Sequence, residues 1–280
     1  MFDMPFIRWV IASTLLAVGV ISTSADEPLL LRLHLTTYET YNYSCTIVMQ
    51  VASRYQRSED GLQQDSTGMN MNVTLRVLDV VMGQATIECT ISDIEVNGRL
   101  APPLQMTVVV DPTGRLIASD IPSEEPIARL ILSAFSPSDL IGVQLPQQPV
   151  KRGSIWTVPK NDTITVEGAT GAVYTTGNVE HMLTGVRDTF GITCWALEST
   201  VNNFEQRGRI TAEGVDLDVS GFGTQSSDTY LEASTGMLMA QRQTLYLNSV
   251  TRPVNDELAK QVTLEVSTQV KINMQRRATR

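Results

Sequence analysis

The feature that most constrains this chain is a strict period-two alternation of apolar and polar residues over long stretches. Tyr41, Tyr43, Cys45, Ile47, Met49 and Val51 alternate with Asn42, Ser44, Thr46, Val48 and Gln50. Met69, Met71, Val73, Leu75 and Val77 do the same against Asn70, Asn72, Thr74 and Arg76. So do Ala85, Ile87, Cys89 and Ile91, and near the C-terminus Val262, Leu264, Val266, Val270, Ile272 and Met274. Side chains on a strand point to opposite faces in turn, so this pattern predicts antiparallel strands with one buried and one wet face. Several runs exceed the usual strand length of about 5–6 residues. Long strands twist and coil, so the expected architecture is mainly β: a strongly curved antiparallel sheet of about ten or more strands.

One segment breaks the rhythm. Ser123 can cap a helix, Glu124 and Glu125 suit its first turn, and Ile127, Leu130, Ile131 and Ala134 recur at helical spacing. A central helix is therefore expected at 123–135, lying across the concave face as a plug or lid. Ser136-Pro137-Ser138-Asp139 ends it and leaves room for a short second turn before Gly142. The Pro/Gln-rich stretch 145–150 then reads as a connector. The two flanking halves, about 26–145 and 146–280, share a grammar. Val77 to Val80 leads through Gly83 to Cys89 as Leu183 to Val186 leads through Gly191 to Cys194. Thr113-Gly114 and Thr235-Gly236 each join two alternating runs, a strand–turn–strand signal. The domain expectation is one extended β unit over 26–280 whose halves read as an approximate repeat. Convergent hairpin grammar is the competing explanation.

Residues 1–25 read as a secretory signal. Arg8 precedes the apolar run Trp9 to Ile21, and Thr23-Ser24-Ala25 supplies small residues for cleavage near Ala25. That run is shorter than the roughly 20 residues a membrane-spanning helix needs, so no span is expected in the mature form. The expected location is periplasmic or secreted. With 21 Lys+Arg against 30 Asp+Glu the chain carries a formal charge of -9, which argues against nucleic acid as a partner. Cys45, Cys89 and Cys194 sit in apolar phases and read as buried thiols, with a Cys89–Cys194 bridge as the alternative.

The octet Pro149-Val150-Lys151-Arg152-Gly153-Ser154-Ile155-Trp156 resembles an element of exported bacterial all-β proteins of unknown function. In those proteins it follows a mid-chain apolar segment and precedes a glycine-rich strand pair ending in a Thr-Gly hairpin. Gly221-Phe222-Gly223 through Tyr230 and on to Thr235-Gly236 is similar. Proteins of this kind resemble the half-barrel of the periplasmic lipoprotein carriers. The resemblance implies a curved sheet wrapped over a helical plug with an apolar concave face. This chain is longer than those carriers, and no functional residue of that family is matched in it.

Catalytic chemistry is sparse. The chain has 2 histidines, His34 and His181, and neither H-x-x-x-H nor C-x-x-C spacing, so no metal or cofactor is expected. No G-x-S-x-G elbow, P-loop or dinucleotide fingerprint is present, and His181 lies in an alternating run where a satisfied residue is the ordinary reading. Asp216 and Asp218 share a strand face and suit Ca²⁺ or a glycosidic bond, against the simpler reading of a solvated edge. Asn42, Asn72 and Asn161 head glycosylation sequons, which matter only in a eukaryotic secretory host. The apolar rows carry the functional expectation. Tyr41, Tyr43, Met49, Met69, Met71, Met106 and Trp156 are the candidate ligand-binding residues of a concave groove for an apolar ligand, acyl chain or lipoprotein. Packing as ordinary core is their alternative, and Trp195 carries the same two readings. The expected function is therefore non-enzymatic binding. A structural or interaction protein of the cell envelope is the first alternative and a carbohydrate-directed enzyme the second.

Overall fold

In a computed structural model, the described residues are 27–55, 62–120, 131, 137–164, 169–255, 259 and 262–277. Twelve strands form one antiparallel sheet: β1 (Thr40–Tyr55), β2 (Gln63–Val81), β3 (Gln84–Val96), β4 (Arg99–Ala101), β5 (Leu104–Val110), β6 (Leu116–Asp120), β7 (Ile155–Ile164), β8 (Ala169–Thr189), β9 (Ile192–Ala212), β10 (Val215–Glu232), β11 (Leu238–Pro253) and β12 (Leu264–Arg276). Their order is β6-β5-β3-β2-β1-β12-β11-β10-β9-β8-β7, with β4 paired to β3. Each half is a simple meander, and the two are stitched together where β12 pairs with β1 from Tyr43↔Arg276 to Tyr55↔Leu264. The sheet is not closed: β6 and β7 are its edges.

The alternation in the sequence sets which face is buried. Cross-strand partners such as Leu75↔Cys89, Cys89↔Met106 and Cys45↔Met274 place every apolar phase on the same side. One hydrophobic cluster then gathers residues from β1, β2, β3 and β5 with others from β8, β9, β10, β11 and β12. The strands are long, reaching 21 residues in β8 and in β9. The paired hairpins predicted from the sequence are present: 82–83 joins β2 to β3, 190–191 joins β8 to β9, and the two Thr-Gly segments turn β5 into β6 and β10 into β11. Met82-Gly83 and Phe190-Gly191 have positive φ at both residues, the two-residue turn whose twist matches that of the strands it joins.

Irregular pairing bends the sheet in both halves, between Asn70 and Asn72 on β2 as well as at several points in the second half. The pairing slips between Thr176 and Glu180 on β8 and between Gly223 and Gln225 on β10, and such irregularities bend a strand and raise its twist. At the bend the Phe204 ring, 2% exposed, lies where side chains are missing: a Cβ on Gly223 would stand 2.2 Å from its Cζ, and one on Gly177 2.9 Å from its Cβ. The aromatic ring takes the volume that the glycines vacate and allows the backbone to fold over it.

The predicted helix 123–135 lies outside the described residues apart from Ile131, which is helical and fully buried. A described helix, α1 (Pro137–Ile141), occupies the expected short second turn and buries Leu140 and Ile141. It leads into a connector tied down at one end of the sheet. Leu145 N–H donates to Thr113 O at 2.7 Å, Val150 bridges Leu29, and Arg32 donates to the carbonyls of Pro146 and Gln147. The same end is locked by Arg276, whose guanidinium meets Glu232 at 2.5 Å and covers the Tyr41 ring at 4.6 Å. The three cysteines are buried and free of disulfides, and burial pushes the Cys45 and Cys89 thiols up to about 12.

Candidate functional site

One row of inward-pointing residues crosses the sheet from edge to interior and defines the site. From β7 it runs Trp156, His181, Ser199, Ser227, Gln243, then Ile272, Ile47 and Met69, each the cross-strand partner of the next. The row changes character between β11 and β12. Ile47 and Met69 are fully buried in the apolar cluster, whereas His181, Ser199, Ser227 and Gln243 are polar and all less than a tenth exposed. Gln225 and Thr229 extend this polar area along β10, and Gln241 extends it along β11.

A cavity of about 330 Å³ lies over the polar area. Its floor includes His181, Ser199, Gln225, Ser227, Gln241 and Gln243; its walls are residues 142–144 after α1, residues 114–116 entering β6, and residues 158–162 of β7. Both free edges of the sheet thus border one cavity, which is the geometric sign of how far the sheet curls. The Trp156 indole N–H donates to Gln144 O at 2.9 Å and pins the connector to β7.

The electrostatics are those of a neutral floor with balanced walls. His181 Nδ1 lies 2.7 Å from Ser199 Oγ, and the imidazole stacks at a tilt against Trp156 with 5.4 Å between centroids. Burial pushes His181 down to about 4, so the ring is neutral near pH 7. On the wall, Lys160 Nζ pairs with Asp162 Oδ2 at 2.9 Å. Burial pulls Lys160 down, but Asp139 and Asp162 outweigh it and hold the ammonium above its ordinary value. Asp139 and Asp162 are therefore counter-ions to one lysine. Several of these side chains have no partner among the described residues. Gln225 Oε1 is buried without a hydrogen bond, as is Thr229 Oγ1 further along β10, and the side chains of Gln241 and Gln243, each 4% exposed, bond to no described residue.

The residues predicted from the apolar rows lie elsewhere. Tyr41, Tyr43, Met69, Met71 and Met106 are buried together in the core cluster of the first half, Met49 and Trp156 are half-buried against it, and none of the seven is among the described residues lining the cavity. Tyr43 is fully buried with its hydroxyl unpartnered. Asp216 and Asp218 are held by Thr211 and Arg209 on the solvated ends of β9 and β10, away from the cavity. Among the described residues no three His, Cys, Asp or Glu side chains gather as a metal site, and no helix is long and apolar enough to cross a membrane.

The glutamine and serine lining was not singled out from the sequence. Its signal is an apolar phase interrupted by uncharged polar residues: Gln241 and Gln243 are in phase with Leu245 and Leu247, and Gln225, Ser227 and Thr229 with Leu231.

No family model matches the chain, and no curated protein matches it. Among solved structures it is similar to the outer membrane protein OmpT of Vibrio cholerae, with 11% identity, a TM-score of 0.23, and coverage of 86% of this chain and 100% of that one. It is also similar to OmpF of Salmonella typhi, solved with daunomycin, at 7% identity and a TM-score of 0.22, covering 86% of this chain and 99% of that one. Likenesses this slight carry nothing about fold, location or activity.

Proposed function

We propose that the protein is an exported, non-enzymatic binding protein that holds a small ligand on the concave side of its sheet, between the polar half and the connector after α1. One observation carries the reading: Gln225 Oε1 on β10 is buried at the cavity floor without a hydrogen bond, and the side chains of Gln241 and Gln243 beside it on β11, each 4% exposed, bond to no described residue. Buried polar groups are paired as a rule, and an unpaired one is worth roughly 1–3 kcal/mol of lost stability. At the border of a cavity, as for Gln225, water or a guest can satisfy such a group. The His181–Ser199 pair is buried with a neutral imidazole, and Asp139 and Asp162 are engaged as counter-ions of Lys160. The secretory reading of residues 1–25 and the resemblance to the periplasmic lipoprotein carriers support a cell-envelope location for this binding.

A second reading keeps the apolar cargo. Beyond the cavity the inward face continues over Met49, Val51, Leu245, Leu247 and Val266, which are only half-buried. An acyl tail suits that stretch, whereas Tyr43 and Met69 are fully buried in the core cluster.

Native mass spectrometry of protein purified from an exporting host, before and after organic extraction, tests both. The expected result is a mature chain beginning near Asp26 with a non-covalent adduct that Ser227→Trp abolishes. Retention of the N-terminal 25 residues would overturn the export reading. A chain that carries no adduct, and gains no thermal stability from a low-molecular-weight envelope extract, would overturn the binding one.

A further inference from the structure

We infer that the cavity is a subsite for a neutral, hydroxyl-rich ligand of the sugar class; the inference rests on the binding function proposed above and names its chemistry. The floor groups whose side chains bond to no described residue, Gln225, Gln241 and Gln243, are primary amides, and Ser199 and Ser227 beside them are hydroxyls. Each of these groups donates and accepts hydrogen bonds. Their natural complement is a ligand whose atoms also do both, and that is the property of a hydroxyl. A peptide amide, by contrast, offers a donor at one atom and an acceptor at another.

Charge points the same way. Every charged group on the walls has its counter-charge within the protein: Lys160 with Asp162 and Asp139, and Arg115 with Asp111 at 3.1 Å. The floor offers no cation for a fatty-acid carboxylate or a phosphate, and its imidazole is neutral. Strand geometry then spaces the groups. Gln241 and Gln243 point the same way two residues apart, about 6.8 Å along β11. Ser227 is the direct partner of Gln243 on the neighbouring strand, about 4.8 Å away in the pairing direction. This grid has the dimensions of a six-membered ring with its hydroxyls, and the cavity of about 330 Å³ sits at the small end of the range for ligand pockets.

The site predicts an unusual pair of responses. Gln243→Leu preserves approximate side-chain volume but removes an amide that no described residue pairs, so it weakens the ligand without weakening the fold. The experiment is saturation-transfer-difference NMR on the purified protein with three sets of probes: neutral saccharides (glucose, N-acetylglucosamine and maltose), palmitate, and trialanine. Each variant's thermal midpoint is recorded alongside. The expected result is binding of at least one saccharide, weakened about tenfold or more by Gln243→Leu and by Ser227→Val, at an undiminished midpoint. Ser226→Ala, on the exposed face beside Ser227, leaves binding unchanged. Saccharide binding that survives both inward substitutions would overturn the site. Palmitate or trialanine binding that Gln243→Leu removes, with no saccharide bound, would overturn the sugar class and leave the binding function standing. Failure of all three sets to bind would overturn both.

Discussion

The inward face of this sheet is two surfaces in one. Across β1, β2, β3, β5 and β12 it is apolar and full, with Tyr43, Ile47, Met69, Leu75 and Ile87 completely buried. Across β8 to β11 the same face, in the same register, carries His181, Ser199, Ser227, Gln241 and Gln243 at nearly the same burial. The first surface supplies the folding free energy, since apolar area removed from water is worth roughly 25 cal/mol per Å². The second forgoes much of that gain over an area of comparable depth. Equal burial with opposite chemistry teaches that depth alone does not mark a core, and that the polar half is retained for what it can hold.

The comparison can be tested by substitutions in each half. The largest effect is expected in the apolar half: Ile47→Ala should lower the unfolding free energy by about 2–5 kcal/mol in urea titrations. A loss well under that range would mean the first half is not the tightly packed one. Next comes acid. His181 is held near pKa 4 in the fold against 6.5 when unfolded, so the unfolded chain binds the extra proton first. Its stabilising contribution is whole above pH 6.5 and should fall by roughly 3 kcal/mol as the pH drops to about 4. His181→Gln should flatten that segment of the stability–pH curve. In Asp111 and Glu232, hydrogen bonds from Thr113 and Arg115, and from Ser234, Arg276 and Thr235, outweigh the upward push of burial and lower the pKa. Their stabilising share disappears only further down, in the carboxylate range, so the two effects separate on the pH axis.

Gly223→Ala is next in size. Its Cβ would stand 2.2 Å from Phe204 Cζ and 2.4 Å from Tyr246 O, and the second of these is backbone that cannot turn aside. A loss of about 1–3 kcal/mol is expected by thermal melting, because overpacked sites relax incompletely. No change would mean that the bend does not depend on that close approach. The smallest effect has the opposite sign. Gln241→Leu should stabilise the protein by up to about 1 kcal/mol, seen as a rise of about 2–4 °C in Tm. A clear fall in Tm would remove the distinction between the halves, since Gln241 would then be serving the fold.

Much of the first surface was legible before any coordinates. Period two from Tyr41 to Val51 and from Met69 to Val77 names the buried phase directly, because a one-residue slip would turn every side chain the wrong way. The Thr-Gly pairs located two hairpins for the same local reason. The second surface was not legible, and the cause is physical. A Gln in an inward phase is indistinguishable in sequence from one at a strand end that has simply reached solvent. Which of these holds depends on how far β7 and the connector come round to cover it. His181 was placed as a satisfied strand residue, and its 2.7 Å contact with Ser199 is that satisfaction. The cavity needs Leu116 and Val158 on one rim, two edges far apart in the sheet order, and no local pattern encodes their meeting.

The stitch between β1 and β12 has a consequence for how the chain acquires its form. Sequence order and spatial order run together everywhere except there, where the strand nearest the C-terminus is laid into the middle of the sheet beside the strand nearest the N-terminus. Assembly must therefore close the longest loop in the molecule at its centre, a slow step on entropic grounds. Until that pairing forms, each half is a meander with a bare edge. Linking β12 to β1 and opening the chain between β6 and β7 would make every neighbour in space a near neighbour in sequence.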